Sequence, residues 1–382
     1  MAPVSSLSSR RSLMEKAKEL HWFLLLTIIL IAVIGAAMLA SVSRGDPALQ
    51  GIAMQHIVRF SLVLAVSVGL ALTPLRFWAM IAYPAYIISL LMLVGVEFMG
   101  SEAGGAVRWL AIGPIRVQPS EFMKIALLLT MARFYHQVME DHEPHLGDHL
   151  FAVLLMVAPA MLVLRQPDLG TTLMLLATGG VVIIFAGLNL RIVMGLIVFV
   201  IVAAPIAYKF GLKDYQRDRV ETFLDPSRDP LGAGYQLQQA KIAIGSGEIS
   251  GKGFMQGTQS QNDYIPEQHT DFIFTILAEE FGFVGTLVLL GAWAVALGFG
   301  LRIACETRHA FGALAAAGVV ATIAFYVVVN IGMVMGLMPV VGVPLPLMSY
   351  GGTVMATVMT GCAIMLSVHV HRETPLVISG IL

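Results

Sequence analysis

Along most of this chain the apolar residues do not alternate with polar ones. They come in long blocks separated by short polar breaks. Blocks of roughly 17–25 apolar residues have the length that carries a helix across a bilayer. The pattern predicts about ten such spans, near residues 22–41, 56–74, 77–99, 118–137, 150–165, 168–187, 190–208, 271–299, 311–336 and 349–370. The expected fold is therefore all-α: one integral membrane domain over residues 1–382, polytopic, with a single long polar connection at 209–270.

An even number of spans puts both termini on one side. The N-terminal tail, 1–21, carries Arg10, Arg11, Lys16 and Lys18, which assigns that side to the cytoplasm, together with the C-terminal tail, 371–382. Arg76, Arg133, Arg191, Arg302, Arg308 and Arg372 then fall at internal helix ends. The acidic stretch QVMEDHEPHLGDH at 137–149 is also internal and says nothing either way, because Asp and Glu contribute little to this rule. The connection 209–270 is external and holds most of the remaining charge. Tyr235, Leu237, Ile242, Ile244 and Phe254 mark it as an ordered segment lying against the membrane face.

Composition agrees. Hydrophobic residues make up 57% of the chain and charged ones 12%, against about 25% charged in a soluble domain. A net charge of −1 gives no sign of a nucleic-acid surface. Cys305 and Cys362 lie outside the predicted external loops, so no disulfide framework is expected.

Chemistry concentrates where polar breaks meet span starts. In RWLAIGPIRVQPSEFMK, Arg108 and Trp109 belong to an external loop where Trp suits the membrane interface, while Glu121 and Lys124 share one face of an apolar helix. Ionisable groups at that depth turn toward each other or toward a wet cavity. In RQPDLGTT, Asp168 suits an N-cap, and Arg165 and Gln166 sit at the same hairpin as possible headgroup ligands. In QHTDFIF, Asp271 is either a cap or a base at the lip of an apolar span, next to His269 and Thr270. In MPVVGVPLPLMSYGG, Pro339, Pro344 and Pro346 forbid a regular helix. The segment, with Ser349 and Tyr350, is either a turn or a short re-entrant stretch lining an external cavity. The glycines of IGSGEISGKGFMQG do not have phosphate-loop spacing and read as a close-packing loop. The starts at 118, 168, 271 and 349 all face one side in this topology, so these groups should converge there.

RWLAIGPIRVQPSEFMK, RQPDLGT, PEQHTDFIF, EEFGFVG and PLPLMSYGG occur here in the order found in the SEDS family of shape, elongation, division and sporulation proteins. The resemblance runs from the second span to His371, and GKGFMQGTQSQ resembles the RodA type associated with cell elongation. It implies a ten-span peptidoglycan glycosyltransferase in the bacterial inner membrane, polymerising lipid II into a nascent glycan strand at the external face. The implied partners are a class B penicillin-binding protein, which crosslinks the strands, and other membrane proteins of the elongation complex. By the same resemblance Asp271 is the essential carboxylate, and Trp109, Glu121, Lys124 and Asp168 match family positions.

The chemistry is consistent with that inventory. A diphosphate leaving group departs without a proton, so one base for the acceptor hydroxyl suffices, together with positive charge near the diphosphate. That charge would come from Lys124, Arg108 or a divalent cation, Mg or Mn, held by Asp271 or Glu121. Three further readings share these features: a lipid II flippase, a non-catalytic scaffold for the penicillin-binding protein, and an ion-coupled carrier. The small residues of NIGMVMGLM, 330–338, are expected to offer a partner surface.

Overall fold

A computed structural model of the chain describes residues 12–45, 49–103, 106–113, 115–211, 214–229, 232–262, 264–374 and 376. The expected tails 1–21 and 371–382 lie partly outside the described residues. The helices, in order, are α1 (Leu13–Lys18), α2 (Trp22–Gly45), α3 (Ile52–Ala71), α4 (Leu75–Met99), α5 (Pro119–Asp141), α6 (Leu146–Arg165), α7 (Leu169–Phe185), α8 (Leu190–Phe210), α9 (Asp214–Leu224), α10 (Ala233–Ser246), α11 (Thr258–Gln261), α12 (Ile273–Glu306), α13 (Ala310–Val334) and α14 (Gly352–Val370).

Each of the ten expected segments is helical. Among the described residues, seven helices are long and apolar enough to cross a membrane: α2, α3, α4, α6, α12, α13 and α14. The other three differ for physical reasons. The apolar helix α7 and the apolar part of α8, residues 190–203, are short. The 23-residue helix α5 is long enough but carries Glu121, Lys124, Arg133, Glu140 and Asp141. It can carry them because it is the interior helix, packed between α4, α7 and α13. Lys124 and Arg133 are buried there. Arg133 donates to the Ala79 carbonyl at 3.0 Å and lies over the Tyr83 ring. The periphery has the opposite pattern. Along α8, Phe199, Val200, Ile201 and Val202 are exposed, as lipid-facing side chains would be.

The connection between α4 and α5 is more ordered than a loop. It forms a three-stranded antiparallel sheet: β1 (Ser101–Ala103), β2 (Ala106–Ile112) and β3 (Ile115–Val117), in that order. The register pairs Leu110 with Val117 and Ile112 with Ile115. The all-α expectation missed this small element, which holds Arg108 and Trp109. The connection 209–270 is largely helical, containing α9, α10 and α11. Leu237, Ala240 and Ala243 seat α10 on the bundle. Ile242 and Phe254, expected to be anchors, present exposed apolar side chains.

The helix α12 is two helices joined at Gly282, whose φ of 62° and ψ of −158° break the helical path. The glycine-rich loop explains the break. Lys252 N–H donates to the Glu279 carbonyl and Gly253 N–H to the Glu280 carbonyl, at 3.0 and 2.9 Å. Phe283 and Val284 N–H donate to the Glu248 and Ile249 carbonyls at 2.9 and 3.1 Å. The loop thus pairs the backbone groups that the kink releases. A Cβ on Gly282 would lie 2.4 Å from Gly251 N, so backbone approach this close requires glycine. Glu279, wholly buried, binds the same loop through the Lys252 ammonium at 2.7 Å and the Gln259 N–H at 2.9 Å.

Residues 338–351 are not helical, as the three prolines require. Val341, Val343, Leu345, Leu347 and Met348 are nevertheless buried. The segment enters the bundle beside the middle of α2, where a Cβ on Gly35 would meet Met348 Cα at 2.5 Å. His56 on α3 bonds the Leu347 carbonyl at 3.0 Å. This is the re-entrant alternative, with its backbone covered by protein.

Candidate active site

The first turns of α5, α7 and α14, the last turns of α13, the loop ahead of α12 and the re-entrant segment enclose one cavity of about 490 Å³. The starts of α5 and α7 carry local signals. Pro119 occupies the first position of α5 with Glu121 in its first turn. Asp168 caps α7, accepting from Thr171 N–H at 3.1 Å and from the Thr171 hydroxyl at 2.9 Å. Asp168 is therefore a cap and also part of the cavity wall.

Eight of the residues singled out in the sequence line this cavity: Arg108, Trp109, Glu121, Lys124, Asp168, Thr270, Asp271 and Tyr350. Asp271, half-buried, lies just ahead of α12. Its carboxyl is pushed up to about 6, chiefly by burial and next by the Glu267 carboxylate, with Arg108 opposing. Thr270 donates to Glu267 at 2.9 Å, which orients that neighbour. Tyr350 donates its hydroxyl to Gln55 at 2.5 Å, and Arg59 lies over its ring at 4.7 Å.

Glu121 and Lys124 form a buried ion pair at 2.7 Å. Tyr326 of α13 completes it: its hydroxyl donates to the second Glu121 oxygen at 2.5 Å and accepts from the Lys124 ammonium. Both Glu121 oxygens are thus engaged in the cluster. Arg108 donates to the Pro167 carbonyl at 2.6 Å and approaches Asp168 at 3.9 Å, joining the small sheet to the start of α7.

Four expected residues are not on the cavity wall. Arg165 is exposed at the end of α6. Gln166 is buried and donates to the Leu93 carbonyl at 2.9 Å, so it fixes the hairpin to α4. The Ser349 hydroxyl accepts from Leu345 N–H at 2.8 Å and closes a turn of the re-entrant segment. His269 contributes its carbonyl, which accepts from Tyr350 N–H at 2.9 Å. Sequence reasoning missed Gln118, Thr171, Arg219, Glu267 and Tyr326, which also line the cavity. Tyr326, a hydroxyl inside an apolar span, and Glu267, one helical turn before Asp271, carried a readable signal. Arg219, on α9, was one charge among many in a polar connection. In the expected partner surface at 330–338, Ile331, Met333 and Val334 are buried and Gly332 lies against Met338, while Met335 and Leu337 are exposed. The small residues there serve internal packing.

The chain matches the FtsW/RodA/SpoVE cell cycle protein family model over residues 17–374. It is 43% identical over 350 residues to the peptidoglycan glycosyltransferase MrdB of Escherichia coli K12, covering 92% of this chain and 93% of that protein. It is 32% identical over 354 residues to the peptidoglycan glycosyltransferase RodA of Treponema pallidum, covering 74% and 81% of the two chains. A solved chain described under the structural coordination of polymerization and crosslinking by a peptidoglycan synthase complex superposes with a TM-score of 0.80 at 33% identity, covering 93% of this chain and 99% of that one. The crystal structure of the rod shape determining protein RodA of Thermus thermophilus superposes with a TM-score of 0.69 at 29% identity, covering 93% and 98%. The chain belongs to the SEDS family, the FtsW/RodA/SpoVE cell cycle proteins.

Proposed function

We propose that this multi-pass membrane protein is a peptidoglycan glycosyltransferase that polymerises lipid II, with Asp271 as general base. The observation that carries this reading is one carboxylate, raised to about 6, at the wall of a polar cavity that opens where an apolar span begins. A base with a pKa near ambient pH is both deprotonated enough to act and basic enough to accept a proton. Asp271 takes the proton from the acceptor sugar hydroxyl. That oxygen bonds to the donor anomeric carbon as the bond from this carbon to the diphosphate oxygen breaks, and the electron pair leaves with the polyprenyl diphosphate. A single displacement of this kind inverts the anomeric centre.

Charge balance bears on a metal. Arg108, Lys124 and Arg219 line the cavity against Glu121, Asp168, Glu267 and Asp271, three basic groups against four acidic ones. The wall is net negative before a diphosphate enters. The Glu267 carboxylate, on the same wall, supplies hard oxygen donors that suit Mg or Mn and leaves Asp271 free to act as base. An ion held there would neutralise the diphosphate.

In this reading the cavity faces the outside of the bacterial cytoplasmic membrane, both termini are cytoplasmic, and α9 to α11 lie in the external connection. A class B penicillin-binding protein crosslinks the product strand. The test is Asp271→Asn, incubated with labelled lipid II and the partner in detergent, where there is no bilayer to flip across. The variant should fold, bind the partner and make no glycan polymer. Polymer at the wild-type rate would remove Asp271 as base. No polymer from the wild-type pair at any metal concentration would favour the flippase or the scaffold.

A further inference from the structure

Asn330 is wholly buried in the last turns of α13, behind the cavity wall and not on it. Its amide nitrogen donates to two backbone carbonyls at once, Asp271 at 2.8 Å and Val343 at 2.7 Å. Those carbonyls belong to different segments, the loop ahead of α12 and the re-entrant stretch. Both segments line the cavity, and neither has a helical ladder at these positions to satisfy its own backbone. One primary amide has two N–H groups and so can serve both.

The Asn330 Oδ1, by contrast, has no hydrogen-bond partner among the described residues. An apolar residue would fill this place without burying an unpaired oxygen. The side chain is explained by what its nitrogen holds. A second tie, from Tyr350 N–H to the His269 carbonyl at 2.9 Å, joins the same two segments two residues from Asp271. On the other side of the joint, Gly342 borders the Asp271 carboxylate, where an added Cβ would lie 3.4 Å from Oδ2.

We propose that Asn330 is a positioning residue for glycosyl transfer: by stapling the Asp271 loop to the re-entrant segment, it sets where the carboxylate meets the acceptor hydroxyl. This rests on the reading of Asp271 as base. Asn330 is off the cavity wall, whereas the cations Arg108, Lys124 and Arg219 line it from β2, α5 and α9. Its loss therefore acts on turnover and leaves substrate binding intact. Displacement of a reacting group by about 1 Å costs on the order of 10²-fold in rate.

The experiment compares wild type, Asn330→Ala and Asn330→Asp in polymerisation of lipid II with the partner present, over pH 5–8. Both variants should keep KM within about twofold and lose at least about tenfold in kcat. A packing role alone would not confine the loss to kcat with KM unchanged. The aspartate variant keeps the side-chain volume and replaces the donor with an acceptor, so it remains a test if the alanine variant does not accumulate. Wild-type kcat in either variant would overturn the proposal. So would failure of both variants to fold in lipid nanodiscs, which would make Asn330 a folding determinant. Absence of polymer from the wild type would instead overturn the functional reading.

Discussion

At the residue scale, Asp271 combines two opposed requirements. Its pKa is raised above the ordinary 3.8, so ionisation works against the fold. The stability contributed by its protonated form is full below about pH 4 and is lost as the pH rises through about 6. Activity runs the other way, because the base must be ionised. The polymerisation rate should therefore rise with pH through a midpoint near 6, and a flat profile from pH 5 to 8 would contradict the assignment. Gly342 gives a second test. Its φ of +70° disfavours any L side chain, by about 1–2 kcal/mol, and a Cβ would crowd the Asp271 carboxylate. Gly342→Ala should still insert, with the rate reduced about tenfold or more. A fully active alanine variant would show that this contact leaves the carboxylate free to shift.

At the element scale, the decisive helix is α5. Its first turns carry the Glu121–Lys124–Tyr326 cluster, which ties α5 to α13 in the interior. Removing one charge leaves the other buried and unpaired, typically at a cost of about 3–5 kcal/mol. Glu121→Gln and Lys124→Met should each lower the amount of folded protein. The double variant should recover accumulation, because no unpaired charge remains, but not polymerisation, because the cavity has lost a cation. Folded yield by fluorescence-detected chromatography and polymer on a gel separate the two effects. Full polymerisation by the double variant would assign the cluster to structure alone.

At the scale of the whole molecule, the external assignment of the α9–α11 connection can be measured directly. Ser250 is exposed in the glycine-rich loop, whereas Ser260 is buried against Glu279 and is a poor site for a label. Cys305 is exposed and Cys362 buried. Ser250→Cys in a Cys305→Ser background should therefore react with a membrane-impermeant thiol reagent in intact spheroplasts. Labelling that requires permeabilisation would invert the topology and place the cavity in the cytoplasm.

The apolar blocks alone determined the membrane class and the ten helical segments, because burying backbone in lipid leaves helices as the economical solution for a long apolar run. Short-range chemistry also placed the caps and breaks: Pro119 opening α5, Asp168 capping α7, and three prolines keeping 338–351 out of a helix. Tertiary structure decided what no local pattern encodes. Whether Asp168 only caps or also lines a cavity, and whether Gln166 and Ser349 face substrate or hold a turn, depends on contacts between segments far apart in the chain. The kink at Gly282 exists because a loop some thirty residues earlier supplies its hydrogen bonds. Tyr326, Arg219 and Asn330 enter the site, or act behind its wall, through such contacts, and periodicity cannot report them. A sequence records which groups the chain can afford to bury; which of them meet is settled by packing.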